Sequence, residues 1–243
     1  KAEFEAEGTR SDELLRLLDI MSKSDLPLTL KIGGCEAKKD LFEARQFGAK
    51  TIVAPMIESD YALKKYIDTL QHVYPEEEQK EVNFYFNIET IQAFKNLESI
   101  LKVAMESPII NGVVFGRTDF SNSLNLKHGF RDEFVTSSAK TIAKAIKNTD
   151  LDLIVGGNIS INSIDILREI SEIKLTKFET RKVVFSANSL KFDDLDKSLL
   201  DAVHFEILWL QNKRNYYQLL QAEDEVRIDT LEKRWGVSER EIE

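Results

Sequence analysis

Two carboxylates stand where apolar runs of the sequence give way to polar ones, a position typical of catalytic and metal-binding side chains. Glu89 directly follows the run Val82–Ile88, and Asp119 comes three residues after the run Gly112–Gly116. If both runs are neighbouring strands of one parallel sheet, the two carboxylates meet at the same edge. Carboxylates, water and substrate oxygens together suit Mg²⁺ or Mn²⁺. The pair therefore predicts a divalent-metal site, although either acid alone is more typical of a helix cap or a solvated charge.

Short β-rich runs alternate with amphipathic stretches along the chain, which is typical of parallel strands joined by helices. The runs predicted as strands are Lys1–Gly8, Pro27–Gly34, Thr51–Met56, Val82–Ile88, Gly112–Gly116, Leu151–Gly156 and Lys182–Ser186. Helices are predicted over 11–23 (with Ser11 as N-cap), 36–47 (ending at Gly48), 60–73, 90–105, 135–147 and 161–170. The polar segment 117–133 is predicted to be a functional loop.

This pattern predicts an α/β protein of the (β/α)8 TIM-barrel type with a C-terminal helical extension. Because seven runs are found and a barrel needs eight, we place the first strand upstream of Lys1. The barrel is expected over 1–194 and the extension, a predicted oligomer contact, over 195–243. The alternative is an open doubly wound sheet, but no glycine-rich nucleotide fingerprint follows any run.

The carboxyl ends of the predicted strands are almost all polar or glycine, whereas the strands themselves are apolar. Active sites of such barrels lie at this end, so the composition indicates a ligand pocket. The strand ends are Glu5–Gly8, Lys31–Gly34, Pro55–Ser59, Asn87–Thr90, Gly116–Asp119, Gly156–Ser160 and Ser186–Ser189. By contrast, 178–182 leads into the last predicted strand and is expected on the opposite, stabilising face.

The composition narrows the classes of partner. The chain has 243 residues and a formal net charge of -9, from 33 basic and 42 acidic residues, without a basic patch, so we expect no nucleic-acid partner. The single cysteine, Cys35, excludes a disulfide within the chain and favours a reducing, cytoplasmic location. No apolar run approaches the ~20 residues that span a bilayer, so no membrane association is expected.

Three segments together resemble the HpcH/HpaI aldolase and citrate lyase β-subunit family of the phosphoenolpyruvate/pyruvate barrel superfamily. They are Pro55–Ser59, Ile88–Thr90 with the helix that follows it, and Asn111–Phe120. The resemblance covers roughly Lys1–Ser189. It implies a barrel fold, a homo-oligomer, and Mg²⁺ (or Mn²⁺) held by Glu89 and Asp119.

The resemblance also implies substrate-binding positions at Pro55, Gly116, Thr118 and the basic residue that ends the second predicted strand. That residue is Lys31, whose ammonium is a point charge rather than the two-pronged fork of the family's usual arginine. The acidic first strand end resembles the family's acidic strand-end motif, with Glu3 and Glu5, or Glu5 and Glu7, in its place.

Two departures from the family pattern bear on mechanism. The acid–base histidine that many of these aldolases carry is replaced by Ala6 or Gly8, and Arg117 stands where proline is more frequent. Arg117 is predicted to add a cation at the mouth. The general base stays open between Glu5, Glu7 and a metal-bound water. The remaining histidines are His72 and His204, predicted in helices, and His128, in the predicted loop.

The sequence thus predicts a metal-dependent carbon–carbon lyase or aldolase acting on a pyruvate-derived 2-oxo acid through a metal-stabilised enolate, with Lys31, Glu5 and Arg117 as catalytic residues. One alternative is a citrate-lyase-like enzyme that cleaves a CoA or acyl-carrier thioester. The other is a non-catalytic barrel that has lost its acid–base residue.

Overall fold

An eight-stranded sheet organises the computed structural model, which describes residues 1–126 and 132–236. Its strands neighbour one another in chain order and are β1 (Ala2–Glu3), β2 (Thr29–Lys31), β3 (Thr51–Ala54), β4 (Asn83–Ile88), β5 (Ile110–Gly116), β6 (Asp152–Gly156), β7 (Lys177–Glu179) and β8 (Val184–Ser186). Strands β1 to β7 pair in parallel, and β8 pairs antiparallel to β7. The parallel strands therefore share one carboxyl edge.

Helices connect the parallel strands, as the alternating pattern predicted. They are α1 (Ser11–Ser24), α2 (Lys38–Gln46), α3 (Asp60–Val73), α4 (Glu76–Gln79), α5 (Ile91–Lys95), α6 (Leu97–Glu106), α7 (Arg117–Ser123), α8 (Glu133–Ala145), α9 (Ile164–Ser171) and α10 (Leu195–Trp235), with 3-10 turns at Ile161–Ser163 and Ala187–Lys191.

Several predicted helix boundaries need correction. Ser11 is the first residue of α1 rather than its N-cap, and the predicted helix over 90–105 is divided at Asn96. The predicted loop over 117–133 begins with α7 instead. Gly48, in a left-handed conformation with φ 67°, ends the turn after α2 as expected.

The last strands also differ from the prediction. Lys177–Glu179 forms the seventh parallel strand, and the run predicted as a parallel strand over 182–186 is the antiparallel return strand β8. Thr180–Lys182 therefore lies at the carboxyl edge of the sheet rather than on the opposite face. Ser186 pairs with Lys177, so the predicted strand end at 186–189 lies away from the carboxyl edge. In the described residues the eighth strand is thus antiparallel and follows β7.

An apolar layer fills the concave side of the sheet below the carboxyl edge. Val53, Tyr85, Val114 and Ile154, one from each of four consecutive strands, form a buried cluster. Because side chains alternate between faces along a strand, Asn87 and Glu89 follow Tyr85 on this same side. The sheet thereby points Glu89 towards the mouth of a barrel.

Ion pairs bridge the two ends of the curled sheet. Lys1, which precedes β1, pairs with Glu179 of β7, and Glu3 of β1 pairs with Arg181 just after β7 at 3.4 Å. The result is a mostly parallel, curled sheet that is consistent with a partial TIM barrel, and the predicted fold class is confirmed.

Two compact units divide the chain, Lys1–Ala202 and a second unit that begins at Val203. The first contains the whole sheet, and the second consists of the remainder of α10 in the described residues. No helix in the part of the chain that the structure describes has the length and apolar character needed to cross a membrane.

Candidate active site at the carboxyl edge of the sheet

Glu89 is a buried carboxylate, only 1% exposed, directly after β4. Asp119 lies in the first turn of α7, which continues from β5 without a loop. Burial raises the pKa of Glu89 above its ordinary value and outweighs the lowering by Lys31, Asn87 and Met56, while the negative charge of Asp119 raises it further. The charge of Asp119 is therefore felt by Glu89 across the strand ends.

Three donors hold the Glu89 carboxylate in place. Lys31 Nζ lies 3.2 Å and Asn87 Nδ2 2.6 Å from Glu89 Oε2, and the Met56 amide donates to Oε1 at 3.0 Å. The Met56 backbone is left-handed, with φ 51°, a conformation that costs roughly 1–3 kcal/mol for a residue other than glycine. This strained turn after the buried Pro55 aims an N–H at the carboxylate.

Lys31, at the end of β2, lies between two carboxylates. Its ammonium is 2.9 Å from Glu5 and 3.2 Å from Glu89, and its side chain is 7% exposed. Burial lowers the pKa of Lys31, but Glu89, Glu5 and Glu3 more than offset this and raise it above the ordinary value. Lys31 is therefore a permanent cation at neutral pH.

The acids of the first strand end pair with cations in two different places. Glu5 faces Lys31, with a quarter of its side chain exposed, whereas Glu7 pairs with Arg181 and the buried Lys182 beyond β7. Glu5 is thus the acid of this segment that joins the site of Lys31 and Glu89. The neighbouring cluster of Glu3, Glu7, Glu179, Arg181 and Lys182 was not predicted, because 178–182 was assigned to the opposite face.

Two strand-end glycines make room for carboxylates on the neighbouring strands. A Cβ on Gly116 would lie 2.9 Å from Glu89 Cβ, and one on Gly156 would lie 3.1 Å from Glu179 Cγ. Real Cβ atoms essentially never lie within 3.0 Å of another heavy atom, so position 116 requires glycine. Gly116, predicted to bind substrate, therefore supports the site by receiving the Glu89 side chain.

Arg117 is placed differently from the prediction of a cation at the mouth. It is 2% exposed, and its guanidinium donates to the carbonyls of Gly156 and Gly157 and to Ser163 Oγ, at 2.7–3.3 Å. Burial lowers the pKa of Arg117 to about 10. The arginine thus fastens the loop after β6 to the start of α7.

Thr118 also contacts the loop after β6. A Cβ on Gly157 would lie 2.5 Å from the Thr118 amide nitrogen and 2.8 Å from its Oγ1. Gly157 itself is left-handed, with φ 86°. The loop after β6 therefore packs directly on Thr118, one residue before Asp119, and fixes the turn that carries this acid.

A family model for HpcH/HpaI aldolase/citrate lyase matches residues 30–174, more than half of the chain. The chain belongs to the HpcH/HpaI aldolase/citrate lyase family. Membership assigns it to a group of aldolases and lyases and supports an enzymatic role. No curated protein matches the sequence significantly.

Solved structures share the fold with this HpcH/HpaI family member at low sequence identity. An HpcH/HpaI aldolase from Desulfitobacterium hafniense DCB-2 is 15% identical, with a TM-score of 0.58 over 71% of this chain and 73% of its own. The citrate synthase SbnG is 14% identical, with a TM-score of 0.61 over 88% and 83%. An HpcH/HpaI aldolase/citrate lyase family protein from Burkholderia cenocepacia J2315 is 15% identical, with a TM-score of 0.60 over 83% and 84%.

The donor set of this HpcH/HpaI family member fits a hard divalent cation that retains water. Asn87 Oδ1 is a buried acceptor for which the described residues supply no hydrogen-bond donor, and it lies beside the Nδ2 that holds Glu89. No cluster of three or more His, Cys, Asp or Glu side chains suited to a metal occurs in the described residues. The protein ligands predicted from the sequence are the two carboxylates Glu89 and Asp119, and one or two carboxylates is the usual number for Mg²⁺.

Neither histidine in the described part of this family member lies at a strand end of the carboxyl edge. His72 lies in α3 and His204 in α10, as predicted. His128 lies outside the described residues. Cys35 is a half-buried free thiol.

Proposed function

We propose that this HpcH/HpaI family member is a metal-dependent carbon–carbon lyase or aldolase that acts on a pyruvate-derived 2-oxo acid through a metal-stabilised enolate. The observation that supports this most is the buried ion pair of Lys31 with Glu89 at the strand ends, where the charge of Asp119 also acts on Glu89. Buried charges at such a position are costly and cluster at functional sites.

Glu89 and Asp119 would hold Mg²⁺ or Mn²⁺, which when bound supplies Lewis acidity towards the carboxylate and 2-oxo oxygens of the substrate. Within the chain, Asn87 and the Met56 amide keep the Glu89 oxygens oriented. The contact of the loop after β6 with Thr118 keeps the Asp119 turn in position. These supports fix the carboxylates before a ligand arrives, which lowers the reorganisation needed on binding.

Lys31 stabilises the negative charge that develops on the 2-oxo acid when its carbon–carbon bond breaks. Its ammonium keeps its proton because Glu89 and Glu5 raise its pKa. An amine that forms a Schiff base needs the opposite shift, a lowered pKa. The electrostatics therefore favour a charge-stabilising lysine over a covalent one.

Glu5 is the candidate general base. It is the more open carboxylate on Lys31, with 26% of its side chain exposed against 1% for Glu89. For a 4-hydroxy-2-oxo acid, Glu5 accepts the hydroxyl proton as the C3–C4 bond breaks and the 4-oxygen becomes the carbonyl of the aldehyde. The bonding electrons move into the enolate of pyruvate, and the proton returns to C3.

The test is pyruvate release from a panel of 4-hydroxy-2-oxo acids, followed by a coupled lactate dehydrogenase assay. We expect turnover that EDTA abolishes and Mn²⁺ restores, with Glu89→Gln and Glu5→Gln strongly impaired. Glu36→Gln is the matched control, since Glu36 pairs with Lys65 with half of its side chain exposed.

Assays on the same preparation distinguish the proposed function from the citrate-lyase-like enzyme and from the non-catalytic barrel. Activity on CoA or acyl-carrier thioesters alone would replace the proposal by a citrate-lyase-like function. Binding of Mn²⁺ without turnover of either panel would favour a non-catalytic barrel. Turnover that resists EDTA would contradict the metal-dependent mechanism.

A further inference from the structure

Met56 exposes a large apolar side chain at the carboxyl edge of the sheet. It is the second residue after β3 and is 45% exposed, whereas its neighbours Pro55 and Ile57 are buried. Among the described residues that lie one or two positions after a parallel strand, no other large apolar side chain is exposed. The exposed residues at the corresponding positions of other strands are Gly33, Asn158 and Arg181.

The backbone conformation of Met56 is unfavourable for methionine. Its φ of 51° lies in the left-handed region, which glycine and asparagine adopt more readily. Either residue would also supply the N–H that donates to Glu89, because this contact uses the main chain alone. The turn and the hydrogen bond therefore do not account for a methionine, which leaves its side chain as the reason for the strain. Residues held in such conformations cluster at active sites and ligand clamps.

The hydrogen bond to Glu89 limits how far the Met56 side chain lies from this carboxylate. Met56 N is 3.0 Å from Glu89 Oε1, and the Cβ of a residue is about 2.5 Å from its own amide nitrogen. The Met56 Cβ therefore lies within about 5.5 Å of Glu89 Oε1. Methionine is unbranched and has three rotatable bonds, so its thioether can bend to cover part of a molecule that is held at Glu89.

We infer that the Met56 side chain packs against the part of the substrate beyond C4 and makes the site prefer an alkyl group there. The inference rests on the proposed function, because it assumes that the carboxylate and 2-oxo groups of the substrate lie at Glu89 and Lys31. The aldehyde-derived end then meets the thioether. Each methylene group that the thioether covers increases the affinity by about fourfold.

A series of substrates of increasing chain length measures this preference. It consists of 4-hydroxy-2-oxopentanoate, 4-hydroxy-2-oxohexanoate and 4-hydroxy-2-oxoheptanoate, which differ only in the number of methylene groups beyond C4. With the wild-type chain we expect kcat/KM for pyruvate release to increase by about fourfold for at least one added methylene. Because the readout is a ratio between substrates, a smaller fraction of folded protein does not change it.

Met56→Asn removes the thioether but keeps the N–H to Glu89 and places a residue suited to positive φ at this turn. We expect this variant to lose the chain-length preference and Met56→Leu, which stays apolar, to retain it. Met105→Asn is the control, since Met105 is half exposed on α6, away from the carboxyl edge. A preference that persists in Met56→Asn, or that is absent from an active wild-type chain, would overturn the inference.

Binding of the non-cleavable 2-oxopentanoate, 2-oxohexanoate and 2-oxoheptanoate, measured by calorimetry with Mn²⁺ present, makes the same comparison without turnover. An affinity that increases along this series and is levelled by Met56→Asn, without turnover of the hydroxy acids, would support the Met56 contact and contradict the lyase activity. Turnover with equal rates and equal affinities along both series would overturn the Met56 contact alone. Binding of no member of either series by the wild-type chain would overturn both.

Discussion

Replacement of Lys31 by methionine removes the ammonium 3.2 Å from a carboxylate that is only 1% exposed. Methionine keeps most of the side-chain volume, so the main loss is the charge. Glu89 then keeps the Asn87 and Met56 donors but no cation among the contacts described for it. Breaking a buried pair by removing one partner costs about 3–5 kcal/mol, and we expect Lys31→Met to lose stability in this range at neutral pH.

The loss of stability in Lys31→Met depends on pH because Glu89 no longer carries an unpaired buried charge once it takes up a proton. The pKa of Glu89 is already raised above 4.5 in the folded protein, and removal of Lys31 raises it further. A group with a raised folded pKa contributes its stability below the unfolded value and loses it as the pH rises through the folded value. The deficit of Lys31→Met is therefore small in acid and grows towards neutral pH.

Urea unfolding followed by far-UV circular dichroism at several pH values measures this deficit. Lys64→Met is the control, since Lys64 forms an exposed pair with Asp60 and its loss is expected to be within error at every pH. The double variant Lys31→Met with Glu89→Gln should recover part of the stability at neutral pH. A deficit that does not change with pH, or that equals the control, would refute a charged Lys31–Glu89 pair.

Three further predictions follow from the contacts. Gly116→Ala brings a Cβ within 2.9 Å of Glu89 Cβ and is expected to abolish pyruvate release. The control Gly34→Ala, whose Cβ would meet no described atom within 4 Å, is expected to keep its activity. Equal rates of pyruvate release by the two variants would contradict the steric role of Gly116. Arg117→Met is expected to speed hydrogen exchange in the loop after β6 because three acceptors lose their donor, and exchange as slow as in the wild type would exclude the fastening role. Tyr85→Phe removes a 2.6 Å hydrogen bond to Asp152, which lies outside the carboxyl-edge site. It should lower the free energy of unfolding by about 1–3 kcal/mol without changing KM, and a changed KM would indicate that Tyr85 also affects the site.

Much of the barrel was predictable because its strands are buried on both faces. Thr51–Ala54 and Asn83–Ile88 are apolar runs whose length and flanking helices leave little ambiguity. Strand β7 was missed because it is short and reads Lys-Phe-Glu, with a single apolar residue. The charged side chains of β7 have partners only because the curled sheet brings Lys1 close to Glu179 and Tyr85 close to Lys177. Sequence patterns carry no information about that proximity.

The candidate site was predictable in position but not in its contacts. Glu89, Asp119 and Lys31 could be found because residues at strand ends of a parallel sheet converge at one edge. The direction of the Arg117 side chain could not be predicted, because it depends on the backbone carbonyls of Gly156 and Gly157 in the loop after β6. The strained Met56 turn likewise has no sequence signal, since methionine has no preference for positive φ.

The central claim, that Glu89 and Asp119 share a divalent cation, is tested most directly by Mn²⁺ titration monitored by electron paramagnetic resonance. The wild-type chain is compared with Glu89→Gln, Asp119→Asn and the surface control Asp165→Asn, whose side chain is 92% exposed. We predict one Mn²⁺ site per chain that is lost in both site variants and retained in the control. Equal Mn²⁺ binding by all four proteins, or none by the wild type, would contradict the account.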